Sequence, residues 1–478
     1  MKKGPTRRQF AASAAALNMG TLLGYASQAG TSADYVVEPE RRVKIRAKVD
    51  VLVCGGGPAG AGAAIAAGRT GAHTLVLENL GCLGGMATSG IMNRFGPFHD
   101  QQKMIVGGIP WEILEKLVAR KAAIMPKPIV FSQAANAGPD YWSPFDPESL
   151  KLLLDQMAEQ AKVKVLFNAH VVGAIVKNGA IQGVFVESKS GREAILAKVV
   201  VDATGDGDVA AWAGAPFEKG RSQDDLMQPA SIIFKVHDLD RDQALLALRE
   251  GRAKIAAAAK ARGELIPSRF GPGSENMLRQ DETYFNEDQM HRVDGTDVED
   301  VTRCWTEIRK QIWQELDFAK KNVPGYEGTY LALTASLLGV RETRRIVGEY
   351  QLNGDDVLSA RKFPDAIARY ACYVDLHPVG TPGKESRLGL KIAEPGTSYD
   401  VPYRSLVPKK IDNLLVAGRC FSGTHEALAS ARPMPSCMAM GQAAGTAAAL
   451  CADRGVAPRE LDAGLLRKTL IAQGVSLG

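Results

Sequence analysis

The residues that decide the fold are 49–78, which read VDVLVCGGGPAGAGAAIAAGRTGAHTLVLE. The β-branched run at 49–54 predicts a buried parallel strand, because such strands are apolar on both faces. Small residues at 61–70 predict a helix, and the apolar run at 73–77 predicts a second strand. The stretch therefore predicts a strand–turn–helix–strand unit.

The turn of this unit carries the pattern G-x-G-x-x-G at Gly55, Gly57 and Gly60. Gly55 permits a sharp turn, Gly57 lets the backbone approach a pyrophosphate, and Gly60 permits close packing of helix on strand. The helix N-terminus then faces the phosphate charge. Glu78 lies 18 residues after Gly60, where a carboxylate can bind a ribose hydroxyl. The unit predicts dinucleotide binding.

Composition indicates an ordinary globular protein. The 478 residues are 45% hydrophobic and 23% charged, which is enough chain for two or three domains. The formal net charge is +5, but Lys2, Lys3, Arg7 and Arg8 supply four of the 58 basic residues. The remaining 54 face 53 acidic residues, so the body of the chain gives no electrostatic argument for nucleic acid as a partner.

The first 29 residues have the pattern of an export signal. Residues 6–10, TRRQF, resemble the twin-arginine motif, and the weakly apolar run at 11–26 is too short and polar for a membrane span. Residues 27–29, SQA, have the small-x-small pattern of a cleavage site. We therefore predict a signal peptide at 1–29 and a linker at 30–47. The twin-arginine machinery becomes a predicted partner, and the predicted location is periplasmic, with no transmembrane span in the mature protein. The alternative is a disordered basic N-terminus on a cytoplasmic protein.

Seven cysteines are scattered without a C-x-x-C pair. This spacing predicts no iron–sulfur, zinc or c-type haem site, and hence no metal. The odd count argues against a complete disulfide framework, and most of these side chains are expected to be small buried apolar groups.

A second part of the α/β pattern follows the glycine motif. Asp146-Pro147-Glu148 predicts the start of a helix, because it places a capping acid before proline at the first helical position. Strands are predicted at 163–167, 171–176, 181–187 and 194–201, the last ending in DATGDGD at 202–208.

The middle of the chain has a different pattern of predicted strands and helices. From about residue 217 we predict a strand at 231–236, a helix at 240–262 and a helix covering 301–319. From residue 400 the α/β pattern of the first part is found again, with a strand predicted at 413–417, a loop at 418–435 and a helix at 436–451. The predicted fold class is therefore α/β, with a discontinuous Rossmann-like domain (48–216 and 400–478) and an inserted α+β substrate domain (217–399).

Further blocks follow the glycine motif in a fixed order. They are GGMAT at 84–88, VDATGDGD at 201–208, GVRETRR at 339–345, NLLVAGR at 413–419, and the segment from HEA at 425–427 to GQAAG at 441–445. With them the chain, from about 49 to 474, resembles the bacterial FAD-dependent oxidoreductase family of the glutathione-reductase-like superfamily, whose members often carry export signals.

This resemblance implies noncovalent FAD and a set of contacts to it. Glu78 would bind the adenosine ribose, and Val171 would lie beside adenine. Many relatives have Gly-Asp where this chain has Gly418-Arg419, which argues against a simple ribityl contact at residue 419. The remaining implied contacts are Gly55, Gly57, Pro58, Ala59 and Gly60 on the diphosphate; Gly85, Met86 and Ala87 on the ribityl or flavin side; Ala203, Thr204 and Gly205 along the cofactor; and Gly418, Ser436 and Met438 near the isoalloxazine.

Several side chains are candidates for chemistry. Ser436 is predicted to cap the last helix, whose positive end would face the flavin. His425 is the first candidate for a general acid or base, and Arg432 for binding a developing negative charge. The alternative is that His425 and Glu426 cap or brace the loop, and that Arg432 pairs with a structural acid.

Weaker candidates lie on the substrate side. If helical, Arg341, Arg344 and Arg345 would share a face as an anion clamp, although a structural ion-pair network is preferred. His377, next but one to Asp375, enters the cleft if the chain there is extended, although a structural pair with Asp375 is an equal alternative. Tyr403 and Arg404 complete the substrate-side candidates.

The leading functional interpretation is an exported FAD-dependent oxidoreductase that transfers a hydride between a small polar organic substrate and flavin N5. Oxygen, a quinone or a small carrier would be the external electron acceptor, and a nicotinamide is less expected because no second G-x-G-x-x-G unit is present. Alternatives are a redox-neutral lyase, isomerase or hydratase, and a flavin-binding protein without turnover.

Overall fold

The computed structural model describes residues 36, 38–129, 142–264, 266–267, 278–279, 282–286, 290–377, 379 and 394–477. The described residues from Lys44 onward form one compact unit. The predicted signal peptide at 1–29 lies outside the described residues. The predicted linker ends earlier than expected, because a strand already begins at Lys44.

The predicted elements are present, with shifted bounds. The strands are β1 Lys44–Cys54, β2 Thr74–Leu77, β3 Arg94–Phe95, β4 Ser143–Pro144, β5 Lys164–Leu166, β6 His170–Lys177, β7 Ala180–Ser188, β8 Gly191–Asp202, β9 Phe217–Glu218, β10 Phe234–His237, β11 Glu282–Phe285, β12 Tyr330–Thr334, β13 Arg345–Ile346, β14 Ala366–Tyr370, β15 Tyr399–Pro402 and β16 Leu414–Val416. The helices are α1 Pro58–Arg69, α2 Ile109–Ala119, α3 Pro147–Gln160, α4 Asp208–Ala213, α5 Arg241–Ala261, α6 Val298–Asn322, α7 Gly354–Leu358, α8 His425–Ala431, α9 Met434–Arg454 and α10 Ala463–Ala472.

The central sheet has the strand order β5-β2-β1-β8-β7-β6, and β16 pairs with β8. The parallel part of the sheet consists of β5, β2, β1, β8 and β16. The antiparallel part is a hairpin of β6 and β7, in which β7 pairs with the first half of β8. Cys54 is in register with both Leu77 and Asp202, and Asp202 with Val416. Parallel strands from both ends of the chain therefore finish at one edge, which confirms the α/β class and its discontinuous sheet.

The end of β1, residues 51–54, is buried on both faces, as the β-branched sequence predicts. Val51 and Val53 belong to one hydrophobic cluster, the first core, while Leu52 and Cys54 belong to the cluster on the opposite face of the sheet. A strand without a solvent face needs apolar residues at every position.

α1 and α9 pack with their backbones almost in contact. A Cβ atom added to Gly441 would lie 2.0 Å from the Ala59 carbonyl oxygen, and one added to Gly445 would lie 2.0 Å from the Ala63 oxygen. Because backbone atoms are in the way, the two glycines are required for this approach. The contact fixes α9, and with it the C-terminal part of the chain, against the glycine motif.

Gly445→Ala is expected to destabilise the protein by about 3 kcal/mol, since the new methyl group forces the two helix backbones apart. Gly251→Ala is the matched control: Gly251 lies inside α5 with nothing within 4 Å of an added Cβ. It should gain about 0.5–1 kcal/mol from helix propensity. Denaturant unfolding of both variants measures the difference, and equal stabilities would contradict the packing described.

A second core covers the middle of the chain. The sheet β11-β10-β12 is antiparallel, and α5 and α6 pack against it. α5 is capped by the Asp240 side chain, which accepts a hydrogen bond from the Gln243 N–H at 3.0 Å. The predicted strand at 231–236 is shorter than expected, because Ser231 instead bridges to Gly339 outside the sheet.

Part of the segment predicted as the inserted domain packs elsewhere. Leu352, Tyr370 and Tyr399 belong to the first core, whereas the second core is built from residues between Ala230 and Leu338 together with Ile91. β14 and β15 thus pack with the Rossmann-like sheet and α9. The site lies between these two cores.

Candidate active site

The glycine turn forms a cradle at the carboxyl end of β1. Gly55 has a φ of +93°, and a Cβ there would lie 2.5 Å from the Ala203 oxygen. Gly57, the residue before α1, has nothing within 4 Å of an added Cβ, and no side chain caps the helix. The first N–H groups of α1 have no intrahelical partner, and a helix N-terminus of this kind can bind a phosphate. The open space at Gly57 lies directly beside these N–H groups.

Glu78 is held at the end of β2. Its Oε2 accepts a hydrogen bond from the Gly56 N–H at 2.7 Å, and its Oε1 accepts one from the Leu80 N–H at 2.8 Å. Burial raises the pKa of this carboxyl group, although the backbone N–H groups oppose the shift. The carboxylate is therefore fixed at the edge where a ribose is predicted to bind.

These groups line a cavity of about 900 Å³ that runs along the carboxyl edge of the sheet. Most residues predicted to meet the cofactor are in its wall. They are Gly55, Gly57, Pro58, Ala59, Glu78, Gly85, Met86, Val171, Ala203, Thr204, Gly205 and Gly418.

Gly60, Ala87, Ser436 and Met438 are not in the wall of this cavity. Gly60 has a packing role, since an added Cβ would lie 1.7 Å from the Gly55 oxygen. Ala87 and Met438 are buried in the first core.

Ser436 does not cap α9, contrary to expectation. The helix begins at Met434 after Pro433, so Ser436 is its third residue, and its buried Oγ has no hydrogen-bond partner among the described residues. Proline at the second helical position allows this earlier start, because the missing N–H is not needed there. Cys437, one residue later, lines the cavity instead.

The predicted arginine clamp is instead a structural network. Residues 341–344 are not helical, and Arg345 lies in β13, so the three guanidiniums do not share a helix face. Arg344 donates to Asp208 at 2.7 Å and to the Asp206 carbonyl at 3.1 Å. This agrees with the preferred alternative, and Arg344 does not line the cavity.

Arg419 joins the same network from the turn that follows β16. Its Nη1 lies 2.9 Å from Asp206 Oδ1 and donates to Thr343 Oγ1 at 3.2 Å. An added Cβ on Gly205 would lie 2.9 Å from the Arg419 guanidinium. The arginine that replaces the usual acid therefore pairs with Asp206 in the cavity wall.

His425 lies away from the cavity. It is the first residue of α8 and 6% exposed, and its Nδ1 lies 2.7 Å from Glu342 Oε2. Glu342 also accepts hydrogen bonds from Arg345 and from the Gln228 N–H. The arrangement matches the bracing alternative rather than the catalytic one.

Tyr403 and Arg404 also lie outside the cavity wall. Tyr403 is buried, and its hydroxyl donates to the Pro458 carbonyl at 2.9 Å. Arg404 binds Asp365, with its Nε 3.0 Å from Oδ2. Both side chains therefore stabilise the segment in which the chain returns to the central sheet.

The substrate-side wall is formed by an extended segment before residue 378. Cys372, Val374 and Leu376 are buried in the first core. The alternate residues Tyr373, Asp375 and His377 line the cavity. The period of two is that of an extended chain with one face on the core, and it places His377 in the cleft as predicted.

Asp375 is the centre of a cluster of charged side chains. Its Oδ2 lies 3.4 Å from His377 Nε2 and accepts a hydrogen bond from Arg432 Nη2 at 2.7 Å. Arg432 also donates to the Asp375 carbonyl at 3.2 Å and lines the cavity. His377 and its predicted partner Asp375 are thus together, with Arg432 as a third member.

The two titratable groups have strongly shifted pKa values. Burial, reinforced by the nearby Arg341 and Arg432 charges, lowers the pKa of His377 to about 4, although Asp375 opposes this. Burial works against ionisation of Asp375, but His377 and Arg432 outweigh it and hold its pKa well below the usual range. At neutral pH the site therefore holds a neutral imidazole beside a carboxylate.

Sequence reasoning missed three residues of the substrate-side wall: Tyr373, Arg94 and Trp142. Tyr373 was detectable from the alternating apolar pattern at 372–377. Arg341 was named as a substrate-side candidate, but on a helix that does not form. Arg94 and Trp142 have no local signal, because the β3–β4 pairing that places them together joins residues far apart in sequence.

The described residues also give two negative results. No cluster of three or more His, Cys, Asp or Glu side chains within the ranges given above is placed to hold a metal ion. Among the helices of those ranges, none has both the length and the apolar content that a membrane crossing requires.

The glycine turn, the fixed acid and the open cavity at the carboxyl edge define a dinucleotide-binding protein of Rossmann-like architecture. Residues 50–470 match the family "FAD dependent oxidoreductase", and the chain belongs to it. The cofactor is therefore FAD and the protein is an oxidoreductase. The open space at Gly57 fits this cofactor, because a diphosphate can lie where a side chain would otherwise be.

The chain also resembles solved structures, at low similarity. A geranylgeranyl bacteriochlorophyll reductase-like protein from Thermoplasma acidophilum is 14% identical over 89% of this chain and 82% of its own, with a TM-score of 0.39. The p-nitrophenol 4-monooxygenase PnpA from Pseudomonas putida DLL-E4 is 14% identical over 64% and 70%, with a TM-score of 0.37. No curated protein sequence matches the chain. These likenesses indicate no particular substrate.

Proposed function

We propose that the protein transfers a hydride between a small polar organic substrate and FAD, with His377 as the acid–base residue and Arg432 beside it. The observation that carries this proposal is the Asp375–His377 pair in the wall of the cavity, at 3.4 Å. His377 replaces His425 in the role that the sequence suggested, because His425 is buried against Glu342 outside the cavity.

When bound, FAD supplies the two-electron acceptor or donor for this chemistry. The neutral His377 imidazole accepts the proton of a substrate hydroxyl or amine as the hydride leaves the adjoining carbon. Asp375 orients the ring and stabilises the imidazolium that forms. Burial, together with the charges of Arg341 and Arg432, lowers the pKa of His377 and keeps the imidazole neutral beforehand.

The experiment is an anaerobic screen of hydroxy acids, sugars, amines and enoates, using purified protein loaded with FAD. Loss of the oxidised flavin absorbance identifies a reducing substrate, and enoates are tested against the dithionite-reduced protein. If a compound is converted while the flavin stays oxidised throughout, the redox-neutral alternative is supported instead. Rapid reduction by NADPH in stopped flow would count against an organic substrate as the electron donor.

We also propose that the protein is exported folded and passes electrons outside the cytoplasm to oxygen, a quinone or a small carrier. Residues 6–10 support this, as does the lack of a second G-x-G-x-x-G unit for a nicotinamide.

Replacing both Arg7 and Arg8 with Lys is expected to retain the protein in the cytoplasm, because the twin-arginine machinery recognises the arginine pair. Cell fractionation with flavin fluorescence measures the location. The matched control is Lys2→Arg together with Lys3→Arg, which keeps the charge and leaves the pair intact. Equal export of both variants would contradict the proposal.

A further inference from the structure

We propose that Asn286 binds the substrate by donating a hydrogen bond to an uncharged oxygen atom, such as a carbonyl oxygen, remote from the reacting carbon. This inference rests on the proposed function, because it takes the substrate to lie in the cavity with its reacting carbon at His377. It adds a binding residue from the second-core side of the cavity and the chemical class of the group that this residue recognises.

The cavity wall has an uncharged part, which we call the neutral face. It lies on the side of the second core and consists of Ser231, Asn286, Val301, Trp305, Ser336 and Leu338. Every described wall residue between 231 and 340 has an uncharged side chain. A charged substrate group placed on this face would lose hydration without gaining an ionic partner there, which is unfavourable. The face therefore suits an apolar substrate body that carries neutral polar atoms.

The Asn286 side chain has a fixed orientation. Its Oδ1 accepts a hydrogen bond from the Ser231 hydroxyl at 3.3 Å, and its Nδ2 lies 4.0 Å from Met92 Sδ. A thioether sulfur only accepts hydrogen bonds, so the amide nitrogen and not the amide oxygen must face Met92. The two contacts therefore hold the amide with its donor on the Met92 side.

The Asn286 amide nitrogen is a donor without a good acceptor. A sulfur atom at 4.0 Å is a weak acceptor, and the second hydrogen of Nδ2 has no partner among the described residues. Asn286 and Met92 both line the cavity, so a bound molecule can reach this donor. A substrate oxygen atom would replace the weak contact with a stronger hydrogen bond.

The neutral face lies at the flavin end of the cavity, near the proposed base. Ser231 forms an antiparallel bridge with Gly339, in which each N–H donates to the carbonyl oxygen of the other, at 3.1 and 2.7 Å. A Cβ atom added to Gly339 would lie 3.6 Å from Cε of Met86, which is predicted to lie on the ribityl or flavin side. Three residues before Ser231, the Gln228 side chain accepts a hydrogen bond from the His377 N–H at 3.4 Å. The neutral face and His377 therefore belong to the same end of the cavity.

The test measures the binding of three molecules of similar shape to the oxidised, FAD-loaded protein without turnover. Acetophenone has a neutral carbonyl group, α-methylstyrene has a methylene group in place of that oxygen, and benzoate has a charged carboxylate. Binding is read from the perturbed flavin absorbance. Isotope-edited infrared spectra of bound acetophenone then show whether its carbonyl oxygen accepts a hydrogen bond, because such a bond lowers the stretching frequency.

Asn286→Leu should weaken the binding of acetophenone about 5–10-fold, which is the loss of one neutral hydrogen bond. The affinities for α-methylstyrene and benzoate should change by less than about twofold, because neither molecule uses this donor. The carbonyl stretch of bound acetophenone should lie at a lower frequency in the wild type than in Asn286→Leu.

A second variant and a control separate the hydrogen bond from the fold. Asn286→Asp keeps the shape and the hydrogen bond from Ser231 but loses the donor, so at mildly alkaline pH it should show the same loss for acetophenone. Thr283→Val is the matched control. Thr283 lies in β11, outside the cavity wall, and its buried hydroxyl has no hydrogen-bond partner among the described residues. This variant should bind all three molecules like the wild type.

Equal binding of acetophenone to the wild type and Asn286→Leu, equal carbonyl frequencies, or no binding of acetophenone at millimolar concentration would each overturn the assignment. A larger loss for benzoate than for acetophenone would overturn the uncharged class. A changed flavin spectrum in Asn286→Leu before any addition would place the amide on the isoalloxazine instead. None of these results affects the proposed function, which fails separately if no compound reduces the flavin in a manner that depends on His377.

Discussion

Gly57→Val is expected to give a folded, colourless protein. Nothing lies within 4 Å of an added Cβ at this position, so the fold tolerates the branched side chain. The same space is where the backbone must approach the FAD diphosphate. We expect flavin affinity to fall at least ~100-fold, which corresponds to ~2.7 kcal/mol. Flavin absorbance after purification, and titration of the apoprotein with FAD, measure the loss.

The control for this variant is Gly60→Ala, three residues later. A Cβ at Gly60 would lie 1.7 Å from the Gly55 oxygen, so this smaller change should damage the fold itself. Thermal unfolding of the apoproteins separates the two effects, since Gly57→Val should melt like the wild-type apoprotein. A yellow, saturable Gly57→Val protein would show that the diphosphate does not lie at this turn.

His377→Ala is expected to slow flavin reduction by about 10²–10⁴-fold, because it removes the group that accepts the substrate proton. Arg432→Lys should have a smaller effect, since the charge beside Asp375 remains. His425→Ala is the control, because His425 lies outside the cavity and should change the rate by less than about threefold after correction for its folded fraction. Single-turnover reduction under anaerobic conditions measures all three rates. If His425→Ala loses as much activity as His377→Ala, the assignment of the base is wrong.

The pH dependence of kcat/KM distinguishes a catalytic His377 from a structural one, because its acidic limb should follow the pKa of a catalytic imidazole. The neutral imidazole is the active form, so kcat/KM should be constant at neutral pH and fall as the pH drops through about 4. Arg341→Gln removes a cation that lowers this pKa, so the acidic limb should move to higher pH. Asp375→Asn removes the carboxylate that raises the pKa, so the limb should move to lower pH. Unchanged limbs in both variants would contradict the assignment.

Much of the fold follows from local sequence. The β-branched strand, the glycine turn and the fixed acid predicted the carboxyl edge of the sheet. They could do so because the structural effect of each depends on residues only a few positions away in the sequence. Helix ends were less predictable: proline at the second position of α9 moved the start two residues upstream of Ser436. The helix α8, within a predicted loop, was missed because it is only seven residues long.

The substrate-side wall was harder to predict, for a physical reason. His425 is buried and His377 is half-buried, each beside an acid, and the sequence does not show which of the two faces open space. That difference arises from long-range packing. Glu342 contacts the His425 ring, whereas Asp375 and His377 face the cavity. Local alternation at 372–377 carried part of the answer, whereas Arg94 and Trp142 depend on a pairing between distant segments.

The joining of β16 to β8 has a consequence for biosynthesis. A ribosome-bound chain that has not yet released residues 414–445 lacks the second sheet neighbour of Asp202, which is Val416, and the helix that packs on Ala59 and Ala63. The N-terminal glycine turn, although translated first, has no completed pocket until that late segment arrives. Loading of the vitamin-derived nucleotide must therefore be a post-translational event, and nascent chains stalled before residue 414 should emerge without it.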